Sequence, residues 1–445
     1  MPPVARRRAR HWRASVLLIA ALALAGCGGG NDDYNNQASC DLASQQTELR
    51  SYMRSWYLFN ATMPDPAAGG FTSFDDYFFA LLAPEDTWSN TQSSTSFTQF
   101  FDQGRSLGYG LFVAGQDDDP LPLRVRYVTP GSPADGAGLR RGMIVDLIDG
   151  TDPAELKASN DFSALSPTAS GTQLALVVRD NAAAAPRSLS LIATLHNLTP
   201  VAAPQVFTTT GGRTVGYLYH MNFIDGAGRR LGDALTQFKT AGVQDLVLDL
   251  RYNAGGFIDM ARDLASAVAG LARDGQVFAH LNYNDQHQAQ NVDYLLRNTG
   301  FTTLDLGRVY VLSGARTCSA AELVINGLRP FVDVVQVGGT SCGKPYGYSP
   351  VASCGRVWSV LNFATSNSAG VGNYTAGLAP TCPATDDFDH ALGDPAEAVT
   401  ARALSLIDGG TCPVATSTNT QPLASRAGTR RLRLDGDPAW ATQMR

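Results

Sequence analysis

Ser319, in the run Arg316-Thr317-Cys318-Ser319-Ala320-Ala321-Glu322, stands 25 positions before Lys344, in Gly343-Lys344-Pro345. Both follow the stretch Asp249-Leu250-Arg251-Tyr252-Asn253-Ala254-Gly255-Gly256. A serine hydroxyl is a weak nucleophile at neutral pH, and an amine can take its proton only while uncharged, so a serine–lysine pair requires a desolvated lysine. A glycine turn nearby suits an oxyanion loop, because the backbone must come close to a substrate carbonyl. The trio therefore reads as nucleophile, base and oxyanion loop, and it predicts a buried site.

Each of these residues also has a purely structural reading. Ser319-Ala320-Ala321-Glu322 has the Ser-x-x-Glu form of a capping box, in which the serine caps a helix and the glutamate reaches back. Asp249, at a strand end, reads either as a structural ion-pair partner or as a functional acid. Arg251 and Asn253 are expected to shape the loop rather than to react. His220, inside Tyr217-Leu218-Tyr219-His220-Met221, reads as a packed core residue, since a lysine already fills the role of base. His280, His287 and His390 offer no chemistry legible from their neighbours, and Cys318 as a nucleophile lacks a nearby histidine.

The elements that must position these residues alternate. Between 199 and 412 the patterning predicts strands over 214–219, 245–250, 277–281, 309–312 and 332–337, with helices near 231–240 and over 258–269 and 320–328. Such alternation argues for an α/β core whose sheet is buried, with sites gathering at the carboxyl ends of the strands. Residues 249 onward and 313 onward both lie at such ends. Upstream, 104–198 shows short β-type runs over 109–113, 123–128, 143–148, 174–178 and 189–195, separated by Gly/Pro turns. Over 41–103, apolar and aromatic residues including Leu49, Tyr52, Met53, Trp56, Tyr57, Tyr77, Phe78 and Leu81 recur at helical spacing and predict a small helical domain with an aromatic core.

With 445 residues and 44% hydrophobic content, the chain can build a sizeable core. It opens with five arginines, an apolar run of 11 residues and Leu24-Ala25-Gly26-Cys27. A membrane span needs about 20 apolar residues, so the run reads as a secretory signal over 1–26 ending at a lipobox rather than as an anchor helix. Residues 27–40 read as a lipidated tether and 413–445 as a disordered tail. Removing the signal moves the formal charge from −6 to −11, which argues against nucleic-acid partners. Beside Cys27 there remain Cys40, Cys318, Cys342, Cys354, Cys382 and Cys412, an even number that suggests disulfides in an exported protein, with every pairing open. No Cys-x-x-Cys or His-rich spacing supports a metal site, and no cofactor is expected.

Residues 131–145, Gly-Ser-Pro-Ala-Asp-Gly-Ala-Gly-Leu-Arg-Arg-Gly-Met-Ile-Val, resemble a PDZ domain, and the resemblance extends over 104–198. It implies that Tyr109, Gly110 and Leu111, in the Gly108-to-Phe112 loop, hold a peptide carboxylate on backbone N–H groups while the peptide adds as a strand. Residues 215–344 resemble the core of the carboxyl-terminal processing peptidases, or tail-specific proteases. That family carries Asp-Leu-Arg-x-Asn-x-Gly-Gly, Ser-Ala-Ser-Glu and Gly-Lys motifs in this order, after a PDZ domain. The resemblance implies Ser319 as nucleophile, Lys344 as general base, and an oxyanion hole from Ala320 with Gly255 or Gly256. It departs in two places. Ala321 replaces the second serine, and Tyr348 replaces the glutamine that orients the lysine, a position from which a phenol can still hydrogen-bond an amine.

The expected whole is a lipid-anchored, envelope-facing serine endopeptidase acting on chains with free C-termini. Its fold would be an α/β protease core with a β-rich PDZ-like domain and a small N-terminal helical domain. The competing expectation is a catalytically decayed peptide-binding scaffold. No residue supports hydrolysis of other substrates, and oligomeric state is not legible.

Overall fold

The sequence Asp-Leu-Val-Leu-Asp of strand Asp245–Asp249 is buried at every position, as the centre of a parallel sheet requires. The computed structural model describes residues 39–115 and 122–413. The signal segment, Cys27, nearly all of the tether and the tail beyond 413 lie outside the described residues. Asp245–Asp249 belongs to a six-stranded sheet in the order Cys382–Pro383, Asp333–Gly338, Arg308–Ser313, Asp245–Asp249, Thr214–Tyr219, Gln205–Thr208. Every neighbouring pair is parallel except the last, where Gln205–Thr208 runs antiparallel.

Alternation along these strands sends side chains to two cores. Leu246, Leu248, Val309 and Val311 pack with helices Ala227–Thr240, Ile258–Ala269 and Ala320–Leu328. Val247, Tyr217, Tyr310 and Leu312 face the other way, against Val399 and Ala403 of helix Ala398–Ile407 and against Phe112. The predicted strands and helices of this region are present with small shifts, the helix near 231–240 starting earlier, at Ala227.

A second, four-stranded antiparallel sheet takes in the expected strand near 277–281, here Val277–Tyr283, with three strands that were not expected, Val292–Leu295, Phe363–Ser366 and Tyr346–Gly347. Its edge carries the Lys344 segment, where Thr365 N–H donates to Pro345 O at 2.8 Å. Three of its strands have four residues or fewer, and Phe363–Ser366 pairs with the distant Val277–Tyr283, which local patterning does not report.

The N-terminal helices Leu42–Trp56 and Phe74–Ala80 start at Asp41 and Ser73, whose side chains accept from Ser44 N–H and Asp76 N–H. Their aromatics close a core only with Trp358, Val360 and Leu361 from the far end of the chain. Strand Asn90–Ser93 pairs with Arg356–Ser359, and Cys40 is joined to Cys354.

Within 104–198, strands Leu111–Ala114, Arg124–Val128, Ile144–Ile148, Gln173–Arg179 and Arg187–Ile192 form one antiparallel sheet over its own core. The two ends of the segment meet, Arg105–Gly108 pairing with Thr194–Asn197. The expected run 189–195 is in fact two strands, Arg187–Ile192 and Thr194–Asn197, which belong to different sheets.

Candidate active site

Ser319 sits at the start of helix Ala320–Leu328 with φ 55° and ψ −118°, a backbone conformation that side chains disfavour. It is half-buried. Glu322 takes the Ser319 N–H on Oε2 at 2.9 Å, as a capping box demands. The same carboxylate does more than cap. Its Oε2 also accepts from Lys344 N–H at 2.8 Å, and its Oε1 accepts from Gly343 N–H at 2.8 Å and Ser341 Oγ at 2.6 Å. One wholly buried glutamate thus fastens the serine turn to the lysine turn. Burial pushes its carboxyl above the usual range, while the Ser341 hydroxyl and the three N–H donors pull it down. The Ser-x-x-Glu spacing pointed to the first of these bonds and could not point to the other three.

Cys318 and Cys342 are bonded to each other, with Cα atoms 5.3 Å apart, so a covalent bridge joins the residues that precede Ser319 and Gly343. Cys382 is likewise joined to Cys412. With Glu322, the sulfurs of Cys318 and Cys342 have metal-ligand spacing, but the two sulfurs are spent on one another.

Lys344 is 7% exposed and has no ion-pair partner among the described residues. Its Nζ lies 4.1 Å from the centroid of the Tyr348 ring and 5.7 Å from that of Trp88. Tyr348 therefore meets the lysine through its ring face rather than its hydroxyl, and Trp88 is a neighbour that the sequence did not single out. No hydrogen bond joins Ser319 Oγ to Lys344 Nζ in this structure.

The glycine loop packs directly on the serine. A Cβ at Gly255 would lie 2.9 Å from Ser319 Cβ and 3.2 Å from Ala320 N, and one at Gly256, where φ is 131°, would lie 2.1 Å from Phe223 O. Gly255 N–H donates to Asn253 Oδ1 at 2.8 Å, and Asn253 Nδ2 donates to His220 O at 2.9 Å. Asn253 O in turn accepts Cys318 N–H at 2.9 Å, which locks the glycine loop to the serine turn. Asp249 and Arg251, 0% and 3% exposed as side chains, pair at 2.7 Å, and Arg251 also reaches Glu397 at 2.8 Å and Asp386 at 2.9 Å. Of the two readings of Asp249, this geometry is that of the structural ion pair. His220 is wholly buried against Phe223, and burial holds its ring down to about 3.

In the 104–198 segment, Gly110 has φ 69°, and a Cβ there would lie 2.2 Å from Ser132 Cβ. Tyr109 O accepts Ala134 N–H at 2.9 Å and Gly110 O accepts Thr129 N–H at 2.9 Å. The side chains of Tyr109 and Leu111 point into the core, and Gly110 between them is buried as well.

Residues 214–355 match the model of Peptidase family S41, and residues 44–90 match the Peptidase S41 N-terminal domain. Over these two stretches the chain is similar to peptidase family S41. It is 27% identical over 272 residues to a carboxyl-terminal-processing protease of Synechocystis, covering 61% of this chain and 59% of that one. Over 238 residues it is 25% identical to the chloroplastic carboxyl-terminal-processing peptidase 1 of Arabidopsis thaliana, covering 54% of this chain and 47% of that one. The chain thus spans about three fifths or less of the length of these curated relatives. A putative S41 protease from Bacteroides fragilis superposes with a TM-score of 0.65 at 25% identity, covering 81% of this chain and 97% of that one. The photosystem II D1 C-terminal processing protease shares the fold, with a TM-score of 0.50 at 19% identity over 76% of this chain and 91% of that one.

Proposed function

We propose that this chain is a serine endopeptidase in which Ser319 attacks a peptide carbonyl and Lys344 takes its proton. The lysine, once charged, passes the proton to the leaving amine, and water then releases the acyl group from Ser319 with Lys344 again as base. Oxyanion donors are the N–H of Ala320, at the positive end of its helix, and that of Gly256. Gly255 is set aside because its N–H is already given to Asn253. The observation that carries this reading is the shared carboxylate of Glu322, which ties Ser319 and Lys344 into one turn-to-turn unit. The open serine–lysine pair is compatible with it, since catalytic hydrogen bonds often tighten only when substrate is bound.

The 104–198 segment is proposed to act as the PDZ-like receptor for substrate C-termini through the backbone at Tyr109, Gly110 and Leu111. Cys27 is proposed as the lipidated residue that holds the enzyme to the bacterial envelope, facing the periplasm or exterior. Purified protein should degrade casein, and Ser319→Ala and Lys344→Ala should each abolish this. Unchanged turnover in either variant sinks the assignment. The Lys344–Tyr348 ring contact favours a second reading, a decayed peptide-binding scaffold. Retained peptide binding with no labelling of Ser319 by a serine-reactive phosphonate would select it.

A further inference from the structure

Strand Arg124–Val128 carries one residue more than its partner. Phe112 pairs with Tyr127 and Val113 with Val125, so Arg126 is the extra residue of a β-bulge. A bulge re-aims a side chain out of the regular alternation. Here it sends Arg126 into a cleft that runs between the 104–198 sheet and the protease core, where Phe112 meets Tyr252, Ala254, Asn222 and Arg316. The guanidinium carbon lies 5.1 Å from the Tyr252 ring centroid and 5.8 Å from that of Phe112.

Arg126 is 4% exposed, yet among the described residues its Nε and Nη1 have no hydrogen-bond partner and no carboxylate forms an ion pair with it. A buried guanidinium with unmet donors is costly, and an arriving carboxylate would supply both the countercharge and the acceptors in the fork geometry that arginine offers. Among the described residues no acidic side chain lines the cleft, and Arg316 forms part of its wall. By contrast, the neighbouring Arg141 is fully engaged, donating to Tyr252 Oη at 2.8 Å and to Asp386 at 2.7 Å.

The cleft adjoins the reacting groups. Ala254 precedes Gly255, which packs on Ser319, and Arg316 lies on the turn that leads to Ser319. We infer that the Arg126 cleft is a subsite for a carboxylate carried by the bound polypeptide, either an Asp or Glu side chain or the chain terminus. The inference rests on the peptidase reading only in taking a polypeptide as the occupant.

Binding can be read without turnover. The full chain carrying Ser319→Ala is titrated against fluorescein-labelled decapeptides of Ala and Leu by anisotropy. Each peptide carries Glu or Gln at one scanned position and ends in either a carboxylate or a carboxamide. At one register or at the terminus, the carboxylate form should bind about tenfold tighter than its amide counterpart. Adding Arg126→Gln should remove that ratio, and Arg126→Lys should keep part of it. A side-chain ratio identifies an acidic residue as the occupant, and a terminal ratio identifies the C-terminus. Equal affinities in the Arg126 protein overturn the inference even if the Arg126 variants fail to fold, and so does a ratio that survives Arg126→Gln. Casein degradation by the Ser319 protein is scored separately. Its failure removes the peptidase reading and leaves the measured carboxylate preference to stand or fall by itself.

Discussion

Three residues around the proposed nucleophile make opposite demands on stability. Ser319 is held at positive φ, a conformation costing about 1 to 3 kcal/mol for a residue with a Cβ. Ser319→Gly should therefore raise the denaturant midpoint by about 1 kcal/mol of stability while ending any proteolysis. An unchanged or lowered midpoint would show that the turn is not strained. Glu322 is the reverse case. Glu322→Ala leaves three N–H groups and a hydroxyl without their acceptor and should cost at least about 3 kcal/mol. Glu322→Gln, which keeps one acceptor oxygen, should cost less. His220, buried with its ring held down to about 3, is neutral in the folded state, whereas unfolded histidine charges below about 6.5. Its contribution is complete above that value and is lost as the pH falls from about 6.5 towards 3. Melting curves between pH 7 and 4 should show a smaller acid-side decline for His220→Phe than for the parent protein. Equal declines would rule His220 out as a source of acid sensitivity.

At the scale of elements, the turn before helix Ala320–Leu328 and the turn before strand Tyr346–Gly347 belong to different sheets, and the Cys318–Cys342 bridge crosses between them. Reduction, or the double change Cys318→Ala and Cys342→Ala, should lower casein turnover and cost about 2 to 5 kcal/mol. Full activity in excess reductant would show that Glu322 alone holds the two turns in register. The glycine loop is tested by Gly256→Ala, whose new Cβ would fall 2.1 Å from Phe223 O. Loss of turnover with little change in affinity for a Ser319→Ala background peptide would place the damage in the oxyanion loop. Unaltered turnover would remove Gly256 from the proposal.

Over the whole molecule, distant segments complete one another's cores. The N-terminal helices need Trp358, Val360 and Leu361, and Arg141 of the 104–198 segment is inserted between Asp386 and Tyr252 of the glycine loop. Arg141→Ala should destabilise on the order of 2 kcal/mol, since Arg251 remains to pair with the half-buried Asp386. A loss confined to the 104–198 segment in hydrogen exchange would show that this contact does not reach the core.

What the sequence determined by itself is the part of the protein written in local order. The buried strand 245–249, helices 258–269 and 320–328, the Ser-x-x-Glu start and the glycine turn are each set by neighbours a few residues away, where periodicity and capping act. The order of motifs also sufficed to point to the peptidase family. Tertiary structure alone decided which six cysteines pair, that Glu322 serves the lysine turn as well as the serine turn, and that Tyr348 offers Lys344 a ring face. It also decided that a bulge turns Arg126 towards Tyr252. Apart from the Lys344–Tyr348 contact, each of these joins residues tens to hundreds of positions apart. Their proximity comes from the burial of two sheet faces and a shared aromatic core, a global balance that no short stretch of chain encodes.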